Sequence, residues 1–597
     1  MKKIKNILYE LLRGMSEAVI RFPLTIVCLV GVASLLCYLI ALDQSPPIII
    51  EKLMYTFLVS AVLGMAAQFA VERFMKLSSL RLPVYGLAII LTAGYFLILW
   101  PVPEISAEIS VRTFIAIFAF VCAVLWIPAY KNKADFNEVC LIHFKTLFIS
   151  ALYSVVLSAG LAAIMAAIDI LLFRIDYDAY SYMLTFVWIL FAPIYYLSLL
   201  PRFISQTENE VKKLQLARSY PKFLEILVSY IAIPLVGIYT LVLFAYFIKI
   251  LITWHWPSGQ LGPMVLIYSA AGLVILVLAS LLSNRFAVFY YKIFPKVLIP
   301  IVVLQLVSVG IRLNAYGVTE SRYYVVLFGI FSIIIGVLLS IKPVTRNSMI
   351  ALLAAALAIV SIIPPVDAFT VSRVSQINRL EKILVSENIL SNGKITATAN
   401  ASEQVKIETT NILSYLDSHS SLQYISWLPQ DFEIYKDMKN TFGFEPTYPS
   451  DIGDQTHYFW AGLDQQKPIT ISGYDLAIQA YSHPNQADQT YNFSLEGLDY
   501  VLTISRISDQ EVGIKVNDSD GTELIGTGLY RFAQELKEEK GNSIKEGLPP
   551  EELTLDVREK GYKLKIILQH LNLNFDDNKK DYVADYTMLI LFGHEDK

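Results

Sequence analysis

Long uncharged runs dominate the first 365 residues and decide what this chain can fold into. Eleven of them recur, at about 22–42, 53–71, 83–101, 113–130, 146–173, 182–200, 223–253, 263–283, 294–311, 323–341 and 348–365. A helix needs about 20 apolar residues to cross a bilayer. The pattern therefore predicts an α-helical polytopic membrane bundle of about 11 transmembrane helices over 1–365. Only 17% of the chain is charged, against about 25% in a soluble protein. The fifth and seventh runs are longer than a span requires and must tilt, bend or project. Pro234 marks a kink site in the seventh.

The loops give a direction. Lys2, Lys3, Lys5, Arg13 and Arg21 precede the first run, and the next loop holds only Lys52 beside Glu51 and Asp43. Arg73, Lys76 and Arg81 follow, then a segment with Glu104, Glu108 and Arg112. The alternation continues through Lys131, Lys133 and Lys145, the poorer 174–181 loop, and the basic 201–222 loop. Basic loops stay in the cytoplasm, so the expected location is the cytoplasmic membrane, with the amino terminus cytoplasmic. An odd number of crossings makes the carboxy-terminal domain extracytoplasmic. The first run is too long for a usual signal peptide, so an uncleaved helix is expected. The spacing in 201–222 predicts a short amphipathic helix on the membrane surface.

The chain's net charge of −4 hides two opposite halves. Residues 366–597 hold 21 Lys/Arg against 36 Asp/Glu, a balance of about −15, which leaves the membrane part near +11. So acidic a tail is a poor nucleic-acid binder. The expected partners are the lipid bilayer and an envelope protein or lipid-linked ligand, with no nucleic acid. Cys28, Cys37 and Cys122 lie in apolar runs and Cys140 in a predicted loop. The tail has no cysteine, hence no disulfide framework and no thiolate metal site.

Ion-coupled transporters often carry charged groups near the bilayer midplane, and here the middle of every predicted span lacks one. Ser154, Ser158, Ala162 and Ala166 form a small-xxx-small row, read as a helix-packing seam. Polar groups gather instead at the predicted outer rim, where Asp176, Asp178, Trp254 and Trp256 also lie. The candidate outer-rim polar site is Asp169, Arg174, Lys249, His255, Arg312, Glu320 and Arg322. Its competing reading is an aromatic belt with snorkelling interface charges. Three of the seven fall in "RLNAYGVTESRYY", residues 312–324. There Asn314 and Gly317 suit a turn and Thr319 suits a helix cap. Arg312 and Arg322 are left without a structural reason.

The tail changes character twice. Residues 366–450 read as a helical connecting segment: an amphipathic helix over 370–392 stopping near Gly393, a second capped by Ser402, and a short third. Residues 451–597 read as a β-rich extracytoplasmic domain, strand-like from about 468, with "NDSDG" as a hairpin turn and "LYRFAQELKEEKG" as one helix. An antiparallel sandwich or curled sheet is expected, so the chain is a membrane bundle followed by a soluble α+β domain. There is no G-x-S-x-G and no H-E-x-x-H, and His419, His457, His483, His570 and His594 lack ligand spacing. No catalytic residue, metal or cofactor is expected.

"VIRFPLTIVCLVG", "AYFIKILITWHWPSG" and "RLNAYGVTESRYYVV" resemble a bacterial family of multi-pass membrane proteins, domain of unknown function 4153. "INRLEKILVSENILSNGKI", "IETTNILSYLDS" and "ISGYDL" resemble its carboxy-terminal part. The resemblance implies a bacterial envelope location and a bundle followed by one soluble domain, and carries no known activity. The leading expectation is a non-enzymatic envelope protein whose external domain binds or senses an envelope component. A transporter or channel comes second, and a membrane-embedded enzyme acting on a lipid-linked substrate third.

Overall fold

The computed structural model describes residues 2–42, 46–74, 81–204, 207–254, 261–342, 344–448, 456–464, 466–483, 486–540, 544–576 and 581–595. It forms two compact units, Met1–Thr447 and Tyr448–Lys597. The first unit is helical: α1 (Lys2–Arg21), α2 (Pro23–Ile40), α3 (Ile48–Arg73), α4 (Arg81–Leu99), α5 (Ala107–Trp126), α6 (Phe136–Leu171), α7 (Tyr177–Leu199) and α8 (Glu208–Arg218). There follow α9 (222–253), α10 (Leu261–Ala279), α11 (Arg285–Tyr316), α12 (Glu320–Ile341), α13 (Ser348–Val360), α14 (Ala368–Ser386), α15 (Glu403–Ser418) and α16 (Ile434–Phe442). Ten helices among the described residues are long and apolar enough to cross a membrane. The eleventh apolar helix, α13, has only 13 residues.

Local chemistry explains where these helices begin and bend. The Asp135 carboxylate accepts the Asn137 N–H at 2.7 Å and starts α6 ten residues before the expected boundary. α6 thus runs for 36 residues, about 54 Å at about 1.5 Å per residue. Cys140 lies inside it rather than in a loop, as does His143. Both α7 and α9 contain a π-helical turn, Phe186–Phe191 and Leu227–Ala232, directly before Pro193 and Pro234. A proline removes one N–H and crowds the preceding turn, and the wider turn absorbs the misfit. The predicted 201–222 helix is α8, closed by a Thr207–Glu210 capping box.

The helix ends form two layers. At one end Arg21 binds Glu72 at 2.7 and 2.8 Å and the Leu200 carbonyl at 2.6 Å, while Lys145 donates to the Ala217 and Ser219 carbonyls. There too Asn347 donates to Asn137 at 2.7 Å and Ser280 at 2.9 Å. At the other end Lys52 donates to the Trp100 carbonyl, Tyr55 bonds Ser110, and Arg112 pairs with Asp367. Residues 347 and 367 lie in opposite layers, so the chain does pass from one to the other through α13. That helix covers about 20 Å, and the segment from Ser361 to Asp367 makes up the rest.

Two large apolar cores fill most of the bundle, with two smaller clusters around Phe136 and Leu63 beside them. One gathers α1, α2, α3, α7 and α8 around Phe22, Phe69 and Ile142, and the other gathers α9 to α12 around Leu276, Leu298 and Ile335. α6 serves both, with Val139 and Ile142 in the first and Leu141 in the second. Ser154 is fully buried, and Ser158, Ala162 and Ala166 are half-buried on the same stripe, as a packing seam requires. α14, α15 and α16 have their own core around Leu380, Leu413 and Phe442. α14 stops at Ser386, before the predicted end. Gly393 instead turns a small hairpin of β1 (Leu390–Ser391) and β2 (Lys394–Ile395). Its positive φ fits a hairpin as well as a helix stop.

The second unit is a two-sheet sandwich. Its strands are β3 (Thr456–Leu463), β4 (Leu476–Ser482), β5 (Gln489–Leu495), β6 (Leu498–Arg506), β7 (Val512–Asp518), β8 (Glu523–Gly528), β9 (Ile544–Leu548), β10 (Thr554–Glu559), β11 (Tyr562–Asp576) and β12 (Asp581–His594). One sheet runs β4-β12-β11-β3-β9 with β10 also on β11, and the other runs β5-β6-β7-β8. All pairs are antiparallel except β3 with β9. Alternating residues such as Leu502, Ile514, Leu571 and Ile590 face a shared core, against which the helix α17 (Tyr530–Lys540) packs. Arg506 ties the sheets together, donating to Ala584 O at 2.6 Å and to Ser482 O at 3.3 Å.

Close helix contact in the bundle depends on several glycines, most tightly on Gly272. A Cβ on Gly272 of α10 would lie 2.0 Å from Phe294 Cζ of α11. Gly272→Ala is expected to lose about 1–3 kcal/mol through overpacking. The check is the melting temperature of the detergent-purified protein. An unchanged value would mean that α10 and α11 do not approach this closely.

Candidate functional site

The stretch 312–324 is where the bundle meets its helical platform. α11 continues to Tyr316, so Arg312 and Asn314 belong to its final turns and Asn314 is not in the turn itself. The reversal falls on Gly317, with φ 69 and ψ −178, a region open in practice to glycine alone. α14 covers this turn. The Ser375 hydroxyl accepts the Val318 N–H at 2.9 Å, and Gln376 Nε2 donates to the carbonyls of Tyr316 at 3.0 Å and Val318 at 2.8 Å. Peptide groups that a helix end leaves open are thus satisfied by side chains of α14. Thr319 holds the cap position of α12, but its hydroxyl bonds Ser321 rather than the helix backbone.

The charged residues here divide by partner. Arg322 Nη1 donates to Gly317 O at 2.8 Å and Tyr316 O at 3.3 Å, so it caps the carbonyl end of α11. The guanidinium groups of Arg322 and Arg379 lie 5.6 and 5.8 Å from the Tyr316 ring centre, within cation–π range. Arg379 also pairs with Glu408 of α15 at 3.0 Å. Arg312 is half-buried within electrostatic reach of Arg322, and among the described residues no hydrogen bond or ion pair holds it. Glu320 accepts the Tyr415 hydroxyl and lies 3.6 Å from His419 Nε2. Burial, reinforced by that carboxylate, pushes the Tyr415 phenol well above its usual range.

A second anchor lies at the start of α14. The Asp367 carboxylate, fully buried, accepts the N–H groups of Phe369 and Thr370 at 3.1 Å each and pairs with Arg112 at 2.8 Å. Arg112 also holds Glu108 at 2.6 Å. Burial alone would raise the Asp367 carboxyl, but the Thr370 and Phe369 hydrogen bonds and the Arg112 charge outweigh it and hold the group below the usual range. Nearby, the Tyr323 hydroxyl donates to Val366 O at 2.6 Å.

The other sequence candidates lie apart. Asp169 accepts the Ile175 N–H at 2.7 Å and closes the turn after α6. Asp176 starts α7 by accepting the Asp178 N–H. Arg174 and Lys249 are exposed, and His255 and Trp256 fall outside the described residues. Among the described residues no hydrogen bond or ion pair joins Asp169, Arg174 or Lys249 to Arg312, Glu320 or Arg322. Sequence reasoning missed Asp367, Arg112 and Gln376, and it placed His143 outside the membrane helix that in fact contains it, α6. Asp367 stood before "AFTVSRV" as a readable cap, whereas its pairing with Arg112 spans 255 positions and leaves no local trace. His143 sits between Glu138 and Lys145, which made its segment look like a loop.

The family model for domain of unknown function 4153 matches residues 30–399. That range takes in the bundle from its first span, the 312–324 turn and α14. The chain belongs to this family. A similar member of the curated proteins is an uncharacterized protein of Pasteurella multocida (strain Pm70), 25% identical over 378 residues. The alignment covers 58% of this chain and 62% of that protein, so this chain spans under two thirds of its relative's length. No solved structure matches.

Two expectations about this family member follow from the anchors. Arg322→Ala should lower the melting temperature by exposing helix-end carbonyls, whereas Arg312→Ala, which relieves like-charge repulsion, should leave it unchanged or raise it. Equal losses in thermal unfolding would contradict this assignment of partners. Asp367→Ala removes a helix cap and leaves Arg112 short of its partner, a loss on the order of 2 kcal/mol. Because the folded carboxyl titrates below its unfolded value, its contribution is complete above about pH 4 and fades as pH falls further. Limited proteolysis of the 361–367 link across that range reads the effect.

Proposed function

We propose that this is a non-enzymatic multi-pass protein of the bacterial cytoplasmic membrane whose carboxy-terminal domain faces outward and binds or senses an envelope component. The observation that carries the reading is the way α14 is seated on the bundle. Gln376 and Ser375 complete the α11–α12 turn, and Asp367 pairs with Arg112 of α5. A tether would need none of these bonds. A relay needs them, because a change at the platform then alters groups that also end α11 and start α12.

The charge of the loops supports the orientation. Lys131, Lys133, Lys145, Lys212, Lys213, Arg218, Arg285, Lys292 and Arg346 join Arg21 on one side, while the opposite side has fewer basic groups, Lys52, Arg112, Arg174, Lys249, Arg312 and Arg322, along with Glu104, Glu108 and Glu320. By the positive-inside rule the Arg21 layer is cytoplasmic.

Fusions test the reading. Alkaline phosphatase joined after Lys597 should be active and a green fluorescent protein there dark. The reverse pair of results would sink the proposed orientation. For the relay, Gln376→Ala should weaken protection of the α11–α12 turn in hydrogen exchange several-fold while α2 stays unchanged. Equal protection in both forms would argue for a passive tether.

A further inference from the structure

The first unit holds an apolar cavity of about 790 Å³, within the roughly 300–1,000 Å³ of ligand-sized sites. Its walls come from α3, α5, α6, α7, α10, α12 and α13, so it lies between the two apolar cores. Deep in it are Leu273 and Phe331, 3% and 5% exposed. At its edge are Phe118, Leu147 and Val274, 51%, 61% and 53% exposed. These three sit on the flanks of membrane helices α5, α6 and α10. The cavity is therefore open sideways, toward the space that hydrocarbon fills.

We propose that this cavity binds the acyl chain of a membrane phospholipid, which enters between α5, α6 and α10. Protein interiors are close-packed, and a hollow this size left empty would forfeit contacts along every wall. Water is a poor filler, because a buried water needs two to four polar partners and this lining supplies few. The apolar molecule in contact with the opening is lipid. The cavity carries polar groups toward both ends, His143 and Tyr196 on the side of Arg21 and Tyr324 and Ser361 on the other. At the Tyr324 end the hydroxyl is buried and has no hydrogen-bond partner among the described residues. That end belongs to the layer of Arg112 and Asp367, where a phospholipid headgroup would lie.

The proposal goes beyond the sensing role and holds for either orientation of the bundle. It also gives that role a structural route. α13 forms one wall through Ala351, Ala354 and Ala358, and the chain leaves it through Ser361 to reach Asp367 and α14. An occupied cavity fixes the wall from which the platform starts.

The test uses the full-length protein in membranes of cells fed a diazirine-bearing fatty acid, which is built into phospholipids. After irradiation and purification, peptide mass spectrometry locates the adducts. Labelling is expected at Leu273 and Phe331, which lipid at the bundle surface does not reach. Ala354→Phe, which fills the cavity, should reduce those adducts at least fivefold and leave labelling of surface-exposed Ile238 unchanged. Ala270→Phe, on the facing wall, repeats the test should the first variant lose its monodisperse elution. Adducts confined to exposed residues, or inner adducts that survive both fillings, would overturn the proposal. Inner labelling by a diazirine polyprenyl phosphate in vesicles, with none by the phospholipid, would overturn the choice of occupant. A failed fusion assay leaves these readouts untouched, so the two proposals fall separately.

Discussion

The pairing of Asp367 with Arg112 is the interaction on which the first unit's design depends. A carboxylate with no exposed surface needs a compensating charge and hydrogen bonds. Asp367 has both, from Arg112 and from the first N–H groups of α14. The same oxygen therefore starts a soluble helix and closes the end of a membrane helix. Everything that seats the platform follows from that fixed point: Val366 receives the Tyr323 hydroxyl, and α14 is aimed so that Ser375 and Gln376 reach the turn at Gly317.

The charged groups of the bundle gather at its ends for a related reason, while hydroxyl pairs such as Ser60–Thr92 and Thr240–Tyr268 lie within the spans. Inside hydrocarbon a backbone group has only its own helix to bond with, so side chains that satisfy open peptide groups are useful only where helices stop. Arg322, Gln376, Arg21 and Lys145 all donate to backbone carbonyls at helix ends or loops. Viewed this way, a rim rich in charge is the consequence of ending many helices in a small area. Arg312 is the exception, a guanidinium near another guanidinium with no bonding partner among the described residues.

Much of the fold was legible. Apolar runs tens of residues long have few alternatives to spanning helices, and period-two alternation in "YVLTISR" or "YKLKIILQ" has few alternatives to half-buried strands. Boundaries were less legible where polar residues enter a span. Glu138, His143 and Lys145 hid the first turns of α6, and the charge of Arg312 and the polar amide of Asn314 hid the last turns of α11. β3 and β9 were missed. β3, with the fully buried Phe459, lies before residue 468, where the strand-like pattern begins, and β9 pairs in parallel with β3 rather than through a hairpin. For the candidate site, Gly317, Glu320 and Arg322 were readable as a group. Their partners Gln376 and Tyr415 lie 60 and 95 positions away, and no periodicity reports such pairings.

The position of α13 bears on the order in which the bundle assembles. α13 packs along α5, which precedes it by roughly 240 residues in the chain. Each of the two large apolar cores, by contrast, draws mainly on one stretch of the chain, α1 to α8 for the first and α9 to α12 for the second, so its helices are all made before α13. Synthesis therefore delivers two half-bundles sharing α6, with a gap between them that lipid can occupy. Only when the last and shortest membrane helix arrives is the gap walled, and only then does Asp367 exist beside Arg112. Closure of the membrane part and seating of the soluble platform are one late event, so a chain that stalls before residue 348 is left with both halves and neither consequence.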